Sequence, residues 1–274
     1  MSTLTVRRVR KSHPSSSEWG LQEHTGSSHI SVLGEGVTDV PLLMLNGVGA
    51  EYRIWKDLRR SIGRPTLAFD VQSRHLGRRP SIRTFAKYVR DVLDERQIQQ
   101  VDVLGLSWGG FAAQQLAHDH PTRVRRLVLA STSPGYYSVP ARPSSYVALL
   151  RPSRTSKRAA TLSKHLYAGD FLRDPSLIHQ LGLIRPVDGS TYHRQLWATI
   201  GWSSLPWLHS IRHETLILHG GDDPVIPFVN ARLMHRLLPN ARLLRVENGG
   251  HLYLYTRPKL LGPQIGEFLS AANL

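Results

Sequence analysis

Gly105-Leu106-Ser107-Trp108-Gly109-Gly110 sets a serine among glycines, directly after the apolar run VDVLG and directly before GFAAQQLAHDH. A serine at a turn from a parallel strand into a helix stands with its hydroxyl above the sheet edge. The backbone there is too tight for side chains two residues away on either side. Gly105 and Gly109 occupy those two positions. The helix that follows aims its first N–H groups and positive dipole end at the reacting oxygen. The chemistry on offer is acyl transfer, provided a base takes the serine proton and a third group orients that base.

Both partners lie downstream, in the order acid then base. TLILH is followed by Gly220-Gly221-Asp222-Asp223-Pro224-Val225-Ile226-Pro227, an acidic loop just past a strand end. Asp222 and Asp223 compete for the role, and Asp223 is favoured because Pro224 and Pro227 fix the loop around it. ARLLRVEN is followed by Gly249-Gly250-His251, a flexible turn presenting an imidazole at the same edge. The chain has 14 histidines, so His251 is distinguished by its turn and its place rather than by its type. Asn46-Gly47-Val48-Gly49 follows the run PLLML, and a glycine-containing loop there lets a backbone N–H point inward. The N–H groups of Val48 and Trp108 are the expected oxyanion donors, with an ordinary strand-to-loop turn as the alternative for 46–49.

These residues need a sheet to present them. HISVLGEG (29–36) alternates like a half-buried strand. PLLMLNG (41–47), PTLAFD (65–70), VDVLGLS (101–107), RLVLAST (126–132), TLILHGG (215–221) and ARLLRVEN (241–248) are short apolar runs ending in Gly, Asn, Asp or Ser. Runs of that length separated by helix-length segments predict buried parallel strands with crossover helices. SIRTFAKYVRDVLDERQ (81–97) places Ile82, Phe85, Tyr88, Val89, Val92 and Leu93 at helical spacing, and GFAAQQLAHDH stops at Pro121. The alternation predicts an α/β, mostly parallel, doubly wound sheet.

The stretch 134–212 lacks that rhythm, is rich in Tyr and Trp, and carries ten Lys/Arg against three Asp/Glu. It reads as a helical insertion over the sheet, splitting a core of 18–133 and 213–274. Residues 1–17, with four cations and a serine cluster, read as a mobile tail.

Composition sets the outer bounds. In 274 residues, 41% hydrophobic and 20% charged, there is enough apolar material for a large core, which excludes a disordered chain. The absence of cysteine excludes a disulfide framework or a thiolate metal site. No apolar run reaches the roughly 20 residues of a membrane span, and the basic N-terminus has no apolar stretch behind it, so a cytoplasmic protein is expected. The net charge of +15 comes from arginines spread along the chain without a basic block interleaved with aromatics, a pattern that argues against a nucleic-acid partner.

In this order, over about residues 20–270, the motifs resemble the α/β-hydrolase superfamily with a helical cap. More narrowly, LLMLNGVGA (42–50), GLSWGGFAAQQLAHDHP (105–121), YAGDFLRDP (167–175), IGWSSLPWLHSI (200–211), TLILHGGDDPVIP (215–227) and NGGHLYLYTRP (248–258) are similar to intracellular medium-chain poly(3-hydroxyalkanoate) depolymerases. The resemblance implies Ser107 as nucleophile, Asp223 as orienting acid and His251 as base. It implies hydrolysis of a 3-hydroxy acid ester, as a small molecule or polyester, with no metal or organic cofactor. Residues 70–80 depart from the family's Gly-rich turn, replacing glycines with bulky and cationic residues. Arg74 or His75 would there enter the pocket, which points to an anionic group on the ligand, with an exposed loop of solvated arginines as the alternative. Asn46, Gly47, Arg74, His75 and Trp202 are the substrate-binding candidates. A tailoring enzyme that removes or eliminates an acyl group with the same residues is the second reading, and a non-enzymatic ligand receptor is the third.

Overall fold

Every run of Leu and Val that reads as a strand becomes one, because alternate side chains enter two different cores. The computed structural model describes residues 22–24, 30–33, 40–150, 167–174, 176–177 and 187–271. In chain order the elements are β1 (Gln22–His24), β2 (Ile30–Leu33), β3 (Leu42–Leu45), α1 (Lys56–Ile62), β4 (Thr66–Phe69), α2 (Ile82–Glu95), β5 (Val101–Leu106), α3 (Trp108–Asp119) and β6 (Val124–Ala130). There follow α4 (Pro143–Leu150), α5 (Asp170–Arg173), α6 (Gly189–Trp197), β7 (Glu214–Gly220), α7 (Phe228–Leu237), β8 (Ala241–Val246), α8 (Tyr253–Thr256) and α9 (Pro258–Ser270).

The sheet has eight strands in the order β1-β2-β4-β3-β5-β6-β7-β8. β1 and β2 pair antiparallel, β2 joins β4 antiparallel, and the six strands from β4 to β8 are all parallel. One core collects Leu43, Leu45, Val103, Leu127, Leu129 and Ile217 from the sheet, with Phe85 and Val89 of α2, Leu116 of α3 and Met234 of α7. The other collects Leu42, Met44, Leu104, Leu106, Val128 and Leu218, with Leu58 of α1 and Ile265 and Leu269 of α9. Strand neighbours in sequence thus face opposite layers, the period of two that a doubly wound sheet requires. Helix α2 starts where the Ser81 hydroxyl accepts the Thr84 N–H at 3.1 Å, and it buries Ile82, Phe85, Val89, Val92 and Leu93.

Arginine is a structural material here as well as a surface charge. Asp102, fully buried on β5, accepts from Arg125 at 2.9 and 2.6 Å and lies 3.3 Å from Arg64. Arg126 is buried and donates to Glu214 at 3.2 Å and to the Leu269 carbonyl at 2.8 Å. Part of the positive excess is therefore committed to tying strands to α9. The expected tail at 1–17 and, of the expected insertion at 134–212, residues 151–166, 175 and 178–186 lie outside the described residues. Within 134–212 the described elements are α4, α5, α6 and a 3-10 turn at Leu208–Ser210. None of the described helices is long and apolar enough to cross a membrane.

Candidate active site

Four loops converge at the C-terminal edge of the parallel strands, the edge where open α/β sheets present their sites. Ser107 follows β5, Asn46–Gly49 follows β3, Asp223 follows β7 and His251 follows β8.

Ser107 sits at φ 52°, ψ −114°, a left-handed backbone that costs of order 1–3 kcal/mol in a non-glycine residue. Its surroundings hold it there. The Ser107 N–H donates to Ala130 O at 2.9 Å, and its carbonyl accepts from Gly110 N–H and from the Thr132 hydroxyl, each at 2.9 Å. A Cβ at Gly105 would strike the Gly109 carbonyl and one at Gly109 would strike Leu45 O, so β3, β5 and α3 meet closer than any side chain allows.

The three expected groups come together across the sheet edge. His251 Nε2 lies 3.1 Å from Ser107 Oγ, and His251 Nδ1 lies 2.7 Å from Asp223 Oδ2. A carboxylate only accepts, so Nδ1 carries the proton and the Nε2 lone pair faces the serine hydroxyl, the tautomer a base requires. Asp223 Oδ1 accepts from the N–H groups of Val225 and Ile226, both at 2.9 Å. Full burial works against the Asp223 charge, but the rings of His251 and His219 and the Ile226 N–H hold its carboxyl below the usual carboxylate range. Asp222 is not in this chain of contacts: its N–H donates to Gly249 O at 2.9 Å. The His251 backbone is pinned on both sides, its N–H donating to Tyr167 O at 2.8 Å and its carbonyl accepting from the Ser131 hydroxyl at 2.9 Å.

Gly47 lies against Ser107, whose Cβ an added Cβ would meet at 3.6 Å. Among the described residues neither Val48 nor Trp108 has an intramolecular acceptor for its N–H, and Trp108 is the first residue of α3. Helix α6 stabilises both neighbourhoods: Gln195 Oε1 accepts the Gly49 N–H at 2.8 Å, and Gln195 O accepts the Trp108 indole N–H at 2.8 Å.

The remaining candidates make contacts of their own. Asn46 is buried, accepts from the Trp55 indole and donates to Ala50 O at 3.1 Å, which shapes the loop rather than offering an amide to a ligand. His75 is buried. Residues 73–76 form a 3-10 turn in which His75 Nδ1 accepts the Gln72 N–H at 3.1 Å, while its ring stacks on Tyr88 at 3.9 Å. Burial, and then the Arg74 cation, holds its pKa down to about 4. Arg74 is exposed, with Nε 3.4 Å from His75 Nε2, and no described contact links it to Ser107, Asp223 or His251. Trp202 packs between Phe111 and Trp207 and donates to Gln115 Oε1 at 2.7 Å, so it joins the stretch before β7 to α3.

The comparisons with known proteins agree with this architecture. Residues 40–258 match the family described as the alpha/beta hydrolase fold. The chain belongs to the α/β-hydrolase family. It is similar to the poly(3-hydroxyalkanoate) depolymerase of Ectopseudomonas oleovorans, 38% identical over 241 residues that span 84% of each chain. It is also similar to the 2-hydroxymuconate semialdehyde hydrolase of Pseudomonas sp. (strain CF600), 27% identical over 253 residues, 85% of this chain and 88% of that one. The crystal structure of the enol-lactonase from Burkholderia xenovorans LB400 superposes with a TM-score of 0.75 at 19% identity, covering 89% of this chain and 96% of that one, a likeness of fold.

Several residues around the site of this α/β hydrolase carry no mark in a strand-and-turn reading. His219, the histidine of TLILH, is fully buried, donates from Nε2 to Ile226 O at 2.8 Å and lies 3.6 Å from Asp223 Oδ2. Burial depresses its pKa from the ordinary imidazole value. A histidine at the inward end of an otherwise apolar strand was the available signal. Gln195, Asp170 and Arg257 act through contacts between distant stretches. For the last two the signal was their place inside YAGDFLRDP and NGGHLYLYTRP.

Proposed function

We propose that this α/β hydrolase cleaves carboxylic esters of medium-chain (3-hydroxy)acyl type through an acyl-enzyme on Ser107. The observation that carries the reading is the unbroken hydrogen-bonded chain from Ser107 Oγ through His251 to the buried carboxylate of Asp223. His251 takes the Ser107 proton as Oγ attacks the ester carbonyl, and the Val48 and Trp108 N–H groups hold the oxyanion of the tetrahedral intermediate. The imidazolium, stabilised by Asp223, gives its proton to the leaving alcohol. Water then attacks the acyl-enzyme by the same route and frees the acid and the serine.

The acyl preference is supported by the 38%-identical depolymerase relative and by the apolar, aromatic composition of 134–212. Each methylene of the acyl chain removed from water would contribute roughly 0.8 kcal/mol. The tailoring reading rested on a cationic 70–80 loop entering the pocket, and the buried His75 weakens that support. A product-resolved screen of p-nitrophenyl esters of increasing chain length, polyhydroxyalkanoate and O-acylated intermediates tests the proposal. Free acid and intact alcohol are expected, best at medium chain length, with fluorophosphonate labelling lost in Ser107→Ala. Turnover retained by that variant, or an alkene in place of the alcohol, refutes the reading.

A further inference from the structure

The loop carrying His251 is held by groups that the chemistry above does not use. Past the end of β8, residues 247–250 include Asn248 at φ 54° and two glycines, a stretch with little stiffness of its own. Arg257, between α8 and α9, ties that stretch down. Its Nη1 donates to Glu247 O at 2.8 Å and its Nη2 to Asn248 O at 3.1 Å. The same guanidinium grips Asp170 at the start of α5, Nε to Oδ2 at 2.8 Å and Nη2 to Oδ1 at 2.7 Å, and the Thr256 hydroxyl adds a 2.5 Å bond to Oδ2. Both partners of this ion pair are only 20% exposed. A two-pronged, half-buried arginine–carboxylate pair fixes orientation as well as distance.

The chain just before Asp170 completes the grip. Tyr167 O accepts the His251 N–H, and a Cβ on Gly250 would strike that same carbonyl. Gly169 lies against Gly250 N and Asn248 O in the same way. Residues 167–170 are thus laid along the base loop, with Arg257 as the clamp between them.

We propose that Asp170 and Arg257 are positioning residues, a clasp through which the segment between β6 and β7 sets the His251 imidazole in register with Ser107 Oγ and Asp223. Neither touches the reacting atoms. The inference rests on the reading of His251 as the base. Loosening the clasp lets the loop drift, and a displacement of about 1 Å in a reacting group costs up to roughly 10²-fold in rate.

Asp170→Asn, Asp170→Glu and Arg257→Lys test it on a short p-nitrophenyl ester, with active sites counted by fluorophosphonate labelling taken to completion. Asp170→Asn is expected to lower kcat per labelled serine by about 10-fold or more while KM moves less than about two-fold, and Asp170→Glu to recover most of the loss. Arg257→Lys, which keeps the charge but loses the fork, serves if Asp170→Asn fails to fold, and the same fall is expected. Wild-type kcat per labelled serine in the folded variants, whatever their melting temperature, overturns the clasp. So does a rise in KM at constant kcat. Absence of labelling at Ser107 in the wild type would instead sink the base reading itself, so the two failures are distinguishable.

Discussion

The Ser107 turn and the His251 loop reach the same sheet edge by opposite means. Ser107 is positioned by the strands and helix it joins: its backbone bonds go to Ala130, Gly110 and Thr132, and its glycines let β3, β5 and α3 close around it. His251 is positioned by residues far away in sequence, Arg257 reaching Asp170 across 87 positions and Asp223 lying 28 positions before the histidine. The lesson is that a strained turn can be self-supporting when it is built into packed strands, whereas a glycine-rich loop borrows its rigidity from whatever lies over it.

That contrast can be broken at several points. The largest effect is expected on the base side, where Asp223→Asn leaves the shape but loses the tautomer-setting carboxylate, cutting kcat by on the order of 10⁴-fold with little change in fold. Asp222→Asn is the control, and steady-state kinetics in which Asp222 proves the costlier site would reassign the acid. On the serine side the corresponding injury is mechanical. Gly109→Ala drives a methyl into Leu45 O and is expected to cost more than about 3 kcal/mol in denaturant unfolding, because strands rather than side chains must yield. A variant as stable as the wild type would show that the turn has slack.

The smallest effect separates the sides by pH. His219 stands only behind the acid loop, and burial lowers its pKa from the ordinary 6.5. The unfolded chain therefore binds more protons than the folded one below about pH 6.5, and stability falls as pH drops through that window. His219→Gln, which keeps a donor for Ile226 O, is expected to flatten part of that slope in a series of melting curves. An unchanged slope would remove His219 from the account.

How much was readable follows the same division. The six parallel strands were legible because buried strands are apolar runs that end abruptly at Gly, Asp or Ser, and α2 because its apolar residues recur at helical spacing. β1 escaped notice, since Gln22–His24 is three polar residues whose pairing comes entirely from β2. α9 carries Pro263 and two glycines and reads as broken, yet it is held by packing on α1, with Gly262 against Ser61. Ser107, Asp223 and His251 were legible as candidates because each sits on a glycine or proline turn past a strand. Their supports were not, since nothing local marks Asp170 for Arg257 or Gln195 for Gly49. The burial of His75 was not legible, since its stacking on Tyr88 and its bond from the Gln72 N–H depend on how the 70–80 loop folds back on α2.

The left-handed backbone at Ser107 has one more consequence. Alanine at that position removes the hydroxyl but keeps the Cβ and with it the tension, while glycine adopts the same torsion angles freely. Two equally inert proteins would then differ in how tightly they hold together, and the gap between them measures the mechanical load that the reactive oxygen imposes on the scaffold beneath it.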